Sequence, residues 1–162
     1  MRLLTLGALT VGILACAGCD DRQPSDVGEV FRVVDGDTVD IEIGGRRERV
    51  RLLGIDTPEV YVDEGGVAEC FGPEASAFTK QLLPEGTAVR LERDVVGRDD
   101  YGRLLAYIYL VDDGSMVNEA IVREGYATPL IIEPNGALAG RLVAAATAAE
   151  ADALGLWAAC GG

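Results

Sequence analysis

Three short stretches of this chain gather polar residues in patterns that suggest chemistry. Asp35-Gly36-Asp37-Thr38 sets two carboxylates at a turn. Arg51-Leu52-Leu53-Gly54-Ile55-Asp56-Thr57-Pro58-Glu59 carries a guanidinium followed by two more carboxylates. Asp99-Asp100-Tyr101-Gly102-Arg103 puts an arginine directly after a glycine turn. Carboxylates are hard oxygen ligands that suit Ca²⁺ or Mg²⁺, and paired guanidiniums suit a phosphate whose charge grows in a transition state. Each stretch also has an ordinary reading by itself: a turn residue at Asp37, a capping box across Asp56 and Glu59, a solvated arginine at Arg103. An EF-hand over Asp35, Asp37 and Asp40 fails, because Asp40 stands where the loop needs glycine and Arg46 where it needs glutamate.

The chain has no histidine. Ser-His-Asp triads, Cys-His dyads, His-based zinc sites and an imidazole general base are therefore excluded. Chemistry must run on carboxylates, arginines, hydroxyls, thiols or a bound metal. Lys and Arg total 14 against 27 Asp and Glu, a formal net charge of −13, and Lys80 is the sole lysine. Such acidity disfavours a broad basic grip on nucleic acid. Any local basic surface must come from Arg46, Arg47 and Arg49, which also read as the solvated face of an edge strand.

Several elements must position these residues. Glu29 to Val34 tends towards a strand, and Asp35-Gly36 is a hairpin-turn dipeptide. Val39, Ile41 and Ile43 alternate with Asp40 and Glu42, so a second strand has one apolar face. Asp37 shares the parity of the apolar set, so strict alternation aims its carboxylate inward unless the turn breaks the pattern. Arg46 to Leu53 forms a third strand, and Gly54 to Gly72 reads as an acidic loop. Pro73-Glu74 opens a helix bearing Ala75, Phe78 and Leu82 on one side. Thr87 to Asp94 and Arg103 to Leu110 read as two more strands. A short amphipathic helix over Val117 to Glu124 stops at Gly125, and an Ala-rich helix covers about Ala137 to Ala153. Five strands with about three helices predict an α+β, mainly β, small barrel in a single domain.

The amino terminus reads as an export signal. Met1-Arg2 precedes an apolar run from Leu3 to Ala15, too short to span a bilayer comfortably. The run ends in Cys16-Ala17-Gly18-Cys19, similar to a bacterial lipoprotein signal with Cys19 as the acylated residue, although Cys16 stands where an aliphatic residue is preferred. The expected organisation is a signal over 1–18, a polar tether over 19–27 and a folded domain over 28–160. Cys70 and Cys160 then remain in the domain, and in an oxidising compartment they are expected to pair, with two separate buried thiols as the alternative.

Taken together the motifs resemble the staphylococcal nuclease (thermonuclease) family. The resemblance rests on Asp35-Gly36-Asp37-Thr38, Arg51 through Glu59, Gly72-Pro73-Glu74-Ala75, Tyr101-Gly102-Arg103-Leu104-Leu105-Ala106-Tyr107, Val117-Asn118-Glu119-Ala120 and Gly155-Leu156-Trp157. It implies an OB-fold-like five-stranded barrel and calcium-dependent hydrolysis of DNA and RNA, leaving 3′-phosphate ends. On that resemblance one Ca²⁺ ion is held by Asp37, Asp56 and the Thr57 carbonyl. Glu59 is the general base, Arg51 and Arg103 stabilise the transition state, and Tyr101 contacts substrate. It implies a nucleic acid partner. A monomer is expected, and the amino-terminal signal predicts an envelope or secreted location, with membrane contact only through a lipid anchor.

Two features depart from the family. Asp100 stands where the best-known member has a phosphate-binding lysine, and Thr128-Pro129-Leu130-Ile131-Ile132-Glu133 lacks two nucleotide-contacting tyrosines. Both departures bear on substrate affinity more than on chemistry. Two other classes fit the composition: a non-catalytic OB-type nucleic-acid-binding barrel and an envelope interaction domain. Neither explains Arg51, Glu59 and Arg103 together, and 6% aromatic content is low for a base-stacking surface.

Overall fold

The computed structural model describes residues 26–60 and 66–160. The signal segment, Cys16, Cys19 and most of the tether lie outside these residues. The first strand, β1 (Val27–Val33), starts on the last residue assigned above to the tether. It is followed by β2 (Thr38–Ile43) and β3 (Arg46–Leu52) in an antiparallel meander.

After β3 come β4 (Gly54–Asp56), α1 (Gly72–Leu82), β5 (Ala88–Glu92) and β6 (Leu104–Leu110). The barrel closes in the order β1-β2-β3-β6-β5, with β5 pairing back onto β1. The β3–β6 contact is parallel, with Arg51 opposite Leu105. A parallel pair needs a long crossover, and β4, α1 and β5 supply it. Alternation fills the interior: Val30, Val39, Ile41, Val50, Val89 and Ile108 are all buried.

Helix α2 (Val117–Arg123) packs on β6, and α3 (Ala139–Ala151) packs on α2. Because the barrel interior lies on one side of β6 and α2 on the other, four successive residues, Ala106 to Tyr109, are buried. Alanines at positions 145, 146 and 149 let α3 approach closely. Phe78 of α1 stacks on Tyr126 at 4.1 Å between centroids, joining α1 to the end of α2. A disulfide links Cys70 to Cys160, with Cα atoms 5.9 Å apart.

The fold is the expected α+β barrel, with two differences in the elements. Gly54 to Asp56, read as the start of a loop, forms β4 and pairs with β7 (Thr128–Leu130). Three-residue strands are too short to display a period, and their partners are far apart in sequence. A four-residue helix, α4 (Leu156–Ala159), follows α3. Among the described residues, 57–60 do not form a helix, so the capping-box reading of Asp56 and Glu59 is set aside.

Candidate active site

The turn before β2 and the chain leaving β3 meet at one end of the barrel. Gly36 is pressed against the Thr57 side chain, and any larger residue there would overlap it. The Thr79 hydroxyl of α1 donates to the Gly36 carbonyl at 2.6 Å, which pins the turn from the other side. Asp37 is buried, as are Thr38 and Asp40 of the opposite parity. Asp37 Oδ2 accepts from the Thr57 N–H at 3.0 Å and the Thr57 hydroxyl at 3.1 Å, and lies 3.1 Å from Arg51 Nη1.

Arg51 is the hub of this end. It donates through Nη1 to the carbonyls of Leu52 and Ile55 and through Nη2 to Asp56 Oδ1 at 2.9 Å. Its side chain is 15% exposed, so these contacts hold it in one orientation. Asp56 itself is exposed at the rim. Thus Asp37, Asp56, Thr57 and Arg51 converge.

Glu59 sits on the exposed segment just beyond. Its backbone is clamped twice by Glu69: the Glu59 N–H donates to Glu69 Oε2 at 2.9 Å, and the Glu69 N–H donates to the Glu59 carbonyl at 2.9 Å. Gly72 lies against the same carbonyl, where a Cβ would collide. Partial loss of water pushes the Glu59 carboxyl above the usual glutamate range, and the charges of Asp35, Asp37, Asp56 and Glu69 push it further.

Asp37 is also raised. Burial outweighs the Arg51 guanidinium and the Thr57 N–H, which pull it down, and Asp35 adds to the upward push. Two carboxyls held above their ordinary values among further acids mark a region short of positive charge. Hard oxygen donors in such a place fit a divalent cation. Among the described residues no three acidic side chains form a cage on their own, so a cation here would draw on carbonyl or water oxygens as well.

Arg103 enters from the position just before β6. Its Nε donates to Asp99 Oδ2 at 2.7 Å, and its own N–H donates to Asp99 Oδ1 at 2.9 Å. Hydrogen bonds from Arg103 hold Asp99 below the ordinary aspartate value despite the opposing effect of burial. Arg51, Arg103 and Tyr101 line one cleft of about 440 Å³, together with Leu53, Ile55 and Leu130. Tyr101 is 87% exposed at its mouth.

Position-holding residues escaped the sequence reading. Asn118 is fully buried, accepting from the Ile108 N–H and donating to the Leu53 carbonyl, both at 2.9 Å, so it ties β6 to the chain between β3 and β4. A signal existed: Asn118 precedes Ile121 and Val122 by three and four residues, which puts a polar side chain on the apolar face of α2. Asn135 likewise bonds both the N–H and the carbonyl of Val96, steadying the loop before Asp99. Nothing local distinguishes Glu69 or Asn135 from solvated loop residues.

The profile of the staphylococcal nuclease homologue family matches residues 49–159. The chain belongs to the staphylococcal nuclease family. The thermonuclease of Staphylococcus intermedius is 41% identical over 97% of this chain and 99% of its own length. That of Staphylococcus hyicus is 41% identical over 66% of this chain and 61% of its own. Endonuclease YncB of Bacillus subtilis is 37% identical over 78% of this chain and 59% of its own length. The nuclease-family match runs from Arg49 within β3 through α4, and therefore includes Arg51, Asp56, Glu59 and Arg103 but not Asp37.

Proposed function

We propose that the protein is a calcium-dependent nuclease that hydrolyses phosphodiester bonds of DNA and RNA, leaving 3′-phosphate ends. The observation that carries this reading is Arg51, which touches Asp37 and Asp56 at once and shares a cleft with Arg103. Family membership and the names of the relatives support the reaction class.

Asp37, Asp56 and the Thr57 carbonyl would hold the calcium ion. When bound, it would neutralise phosphate charge and make nearby water more acidic. Glu59 takes a proton from the attacking water, a task suited to a carboxylate whose pKa lies above the ordinary value. The water oxygen bonds to phosphorus while the bond to the 5′ oxygen breaks; the departing 5′ oxygen takes a proton from solvent, and the phosphate stays on the 3′ side. Arg51 and Arg103 hold the non-bridging oxygens, where charge accumulates as the phosphorus becomes crowded. Tyr101 meets the nucleotide at the cleft mouth.

We further propose an envelope or secreted location, through the amino-terminal signal and an acylated Cys19. The disulfide between Cys70 and Cys160 supports an oxidising compartment.

One assay tests the catalytic reading. Wild-type protein is expected to degrade denatured DNA and RNA with added calcium and to stop when a chelator is present. Glu59→Gln should lower turnover by at least ~10²-fold while the thermal unfolding curve is retained. Full turnover by Glu59→Gln, or calcium-independent cleavage, would remove this assignment.

A further inference from the structure

We propose that the β1–β3 face beside Tyr101 is a second phosphate-binding cleft, which takes a backbone phosphate of single-stranded nucleic acid flanking the scissile one. This rests on reading the first cleft as the scissile-phosphate site. The second cleft has a volume of about 490 Å³ and is lined by Arg47 and Arg49, as expected of a basic surface, but by Arg32 and Arg103 in place of Arg46, with Asp40 as the sole carboxylate among its lining residues. Tyr101 and Arg103 line both clefts, so they form the wall between them. A strand with one phosphate at Arg51 and Arg103 that runs over this wall meets three further guanidiniums, those of Arg32, Arg47 and Arg49, on its far side.

The row is built by strand register. Arg32 of β1 stands opposite Asp40 of β2, and Asp40 opposite Arg49 of β3. Arg103 directly precedes Leu104, the β6 partner of Val50, so it continues the row next to Arg49. Three strand spacings carry the row roughly 14 Å across the barrel surface.

Asp40 organises the row. It is only 3% exposed, and its oxygens accept from Arg49 Nε and Arg32 Nε at 2.8 Å each, with Arg49 Nη2 at 3.2 Å. Gripped by Nε, each arginine still reaches solvent, with side-chain exposures of 59% for Arg32 and 47% for Arg49. Two guanidiniums on one carboxylate leave positive charge unmatched, in fixed orientations that suit phosphate oxygens. Arg47 is steadied differently, with its guanidinium carbon 3.2 Å from the centre of the Phe31 ring. On a chain of net charge −13, a polyanion is repelled over most of the surface, so a concentrated basic groove decides where its backbone runs.

The test measures binding without cleavage. Fluorescence anisotropy in chelator, on the mature protein, would compare labelled single-stranded DNA of two and of eight nucleotides. One variant combines Arg32→Gln, Asp40→Asn and Arg49→Gln, so that no buried carboxylate is stranded. A second, Arg47→Gln, leaves the Asp40 cluster intact. Thermal unfolding checks that both are folded. Affinity for the longer strand should fall about 10-fold in the triple variant and about 3-fold in Arg47→Gln, with the salt slope reduced by ~0.7 for each phosphate no longer neutralised. Dinucleotide affinity, and turnover of a dinucleotide with calcium, should be unchanged.

Equal weakening for both lengths, or unchanged affinity for the longer strand in both variants, would overturn the proposal. Loss of binding to anionic phosphatidylglycerol vesicles with oligonucleotide affinity intact would overturn it too, in favour of a membrane surface. A wild-type protein that cleaves nothing would defeat the catalytic reading while leaving the length-dependent contrast in binding measurable.

Discussion

Arg51 and Arg103 have the same residue type but different obligations. Arg51 is mostly enclosed, with Nη1 donating to two carbonyls beside the Asp37 carboxylate and Nη2 donating to Asp56, whereas Arg103 is 31% exposed on its side chain and bonded to Asp99. Removing Arg51 strands the buried Asp37, a change that costs about 3 kcal/mol when one partner of a buried pair is removed. Removing Arg103 frees a partly exposed pair, worth under about 1 kcal/mol. Both Arg51→Ala and Arg103→Ala should lose at least ~10²-fold in turnover. Only Arg51→Ala should shift the urea unfolding midpoint strongly. Equal midpoints would mean that the Arg51 network contributes no stability. Parity with Val39 and Ile41 left Asp37 open between an inward carboxylate and a turn residue, and its burial was decided by the fold, which buries Thr38 and Asp40 of the opposite parity as well.

At the scale of elements, α2 and α3 are joined by an ion pair between Glu119 and Arg141, with side-chain exposures of 20% and 47%. The hydrogen bond from Arg141 holds the Glu119 carboxyl below its ordinary 4.5, against the opposing effect of burial. The folded-state value is therefore below the unfolded one. The stabilisation is complete above the unfolded value and is lost as pH falls through the folded one. Glu119→Gln should cost about 0.5 kcal/mol at neutral pH, discounted for the exposure of Arg141, and nothing once both proteins are acidified well below the carboxylate range. Urea titrations of the two proteins across that range check this, and a pH-independent difference would contradict it. The main strands and helices were readable because each runs long enough to display its period. The β4–β7 pair was not, since Gly54 to Asp56 and Thr128 to Leu130 have three residues apiece and meet only in the folded chain.

For the molecule as a whole, the Cys70–Cys160 disulfide is a covalent constraint that spans 90 positions of sequence. It ties the residue after Glu69, and so the segment that clamps Glu59, to the residue following α4. Closing so large a loop restricts the unfolded chain, and the combined Cys70→Ser and Cys160→Ser change is expected to cost about 2–4 kcal/mol. Unfolding with and without reductant measures this. A midpoint that reductant leaves in place would show that the bridge adds nothing. Among the described residues no helix is long and apolar enough to cross a membrane.

Residue types and short periods were enough to exclude imidazole chemistry, to predict a small mainly β barrel and to single out Asp37, Arg51, Asp56, Glu59 and Arg103, because those properties are local to a few neighbouring positions. Which of these groups touch was decided by pairing across the fold. Arg51 meets Asp37 because β2 lies beside β3, Arg103 joins the cleft because β6 runs parallel to β3, and Asn118 fixes their spacing from a helix 65 residues beyond Leu53. Contacts between distant segments carry no period along the chain. They exist only once the barrel has closed and burial requires each polar group to find a partner.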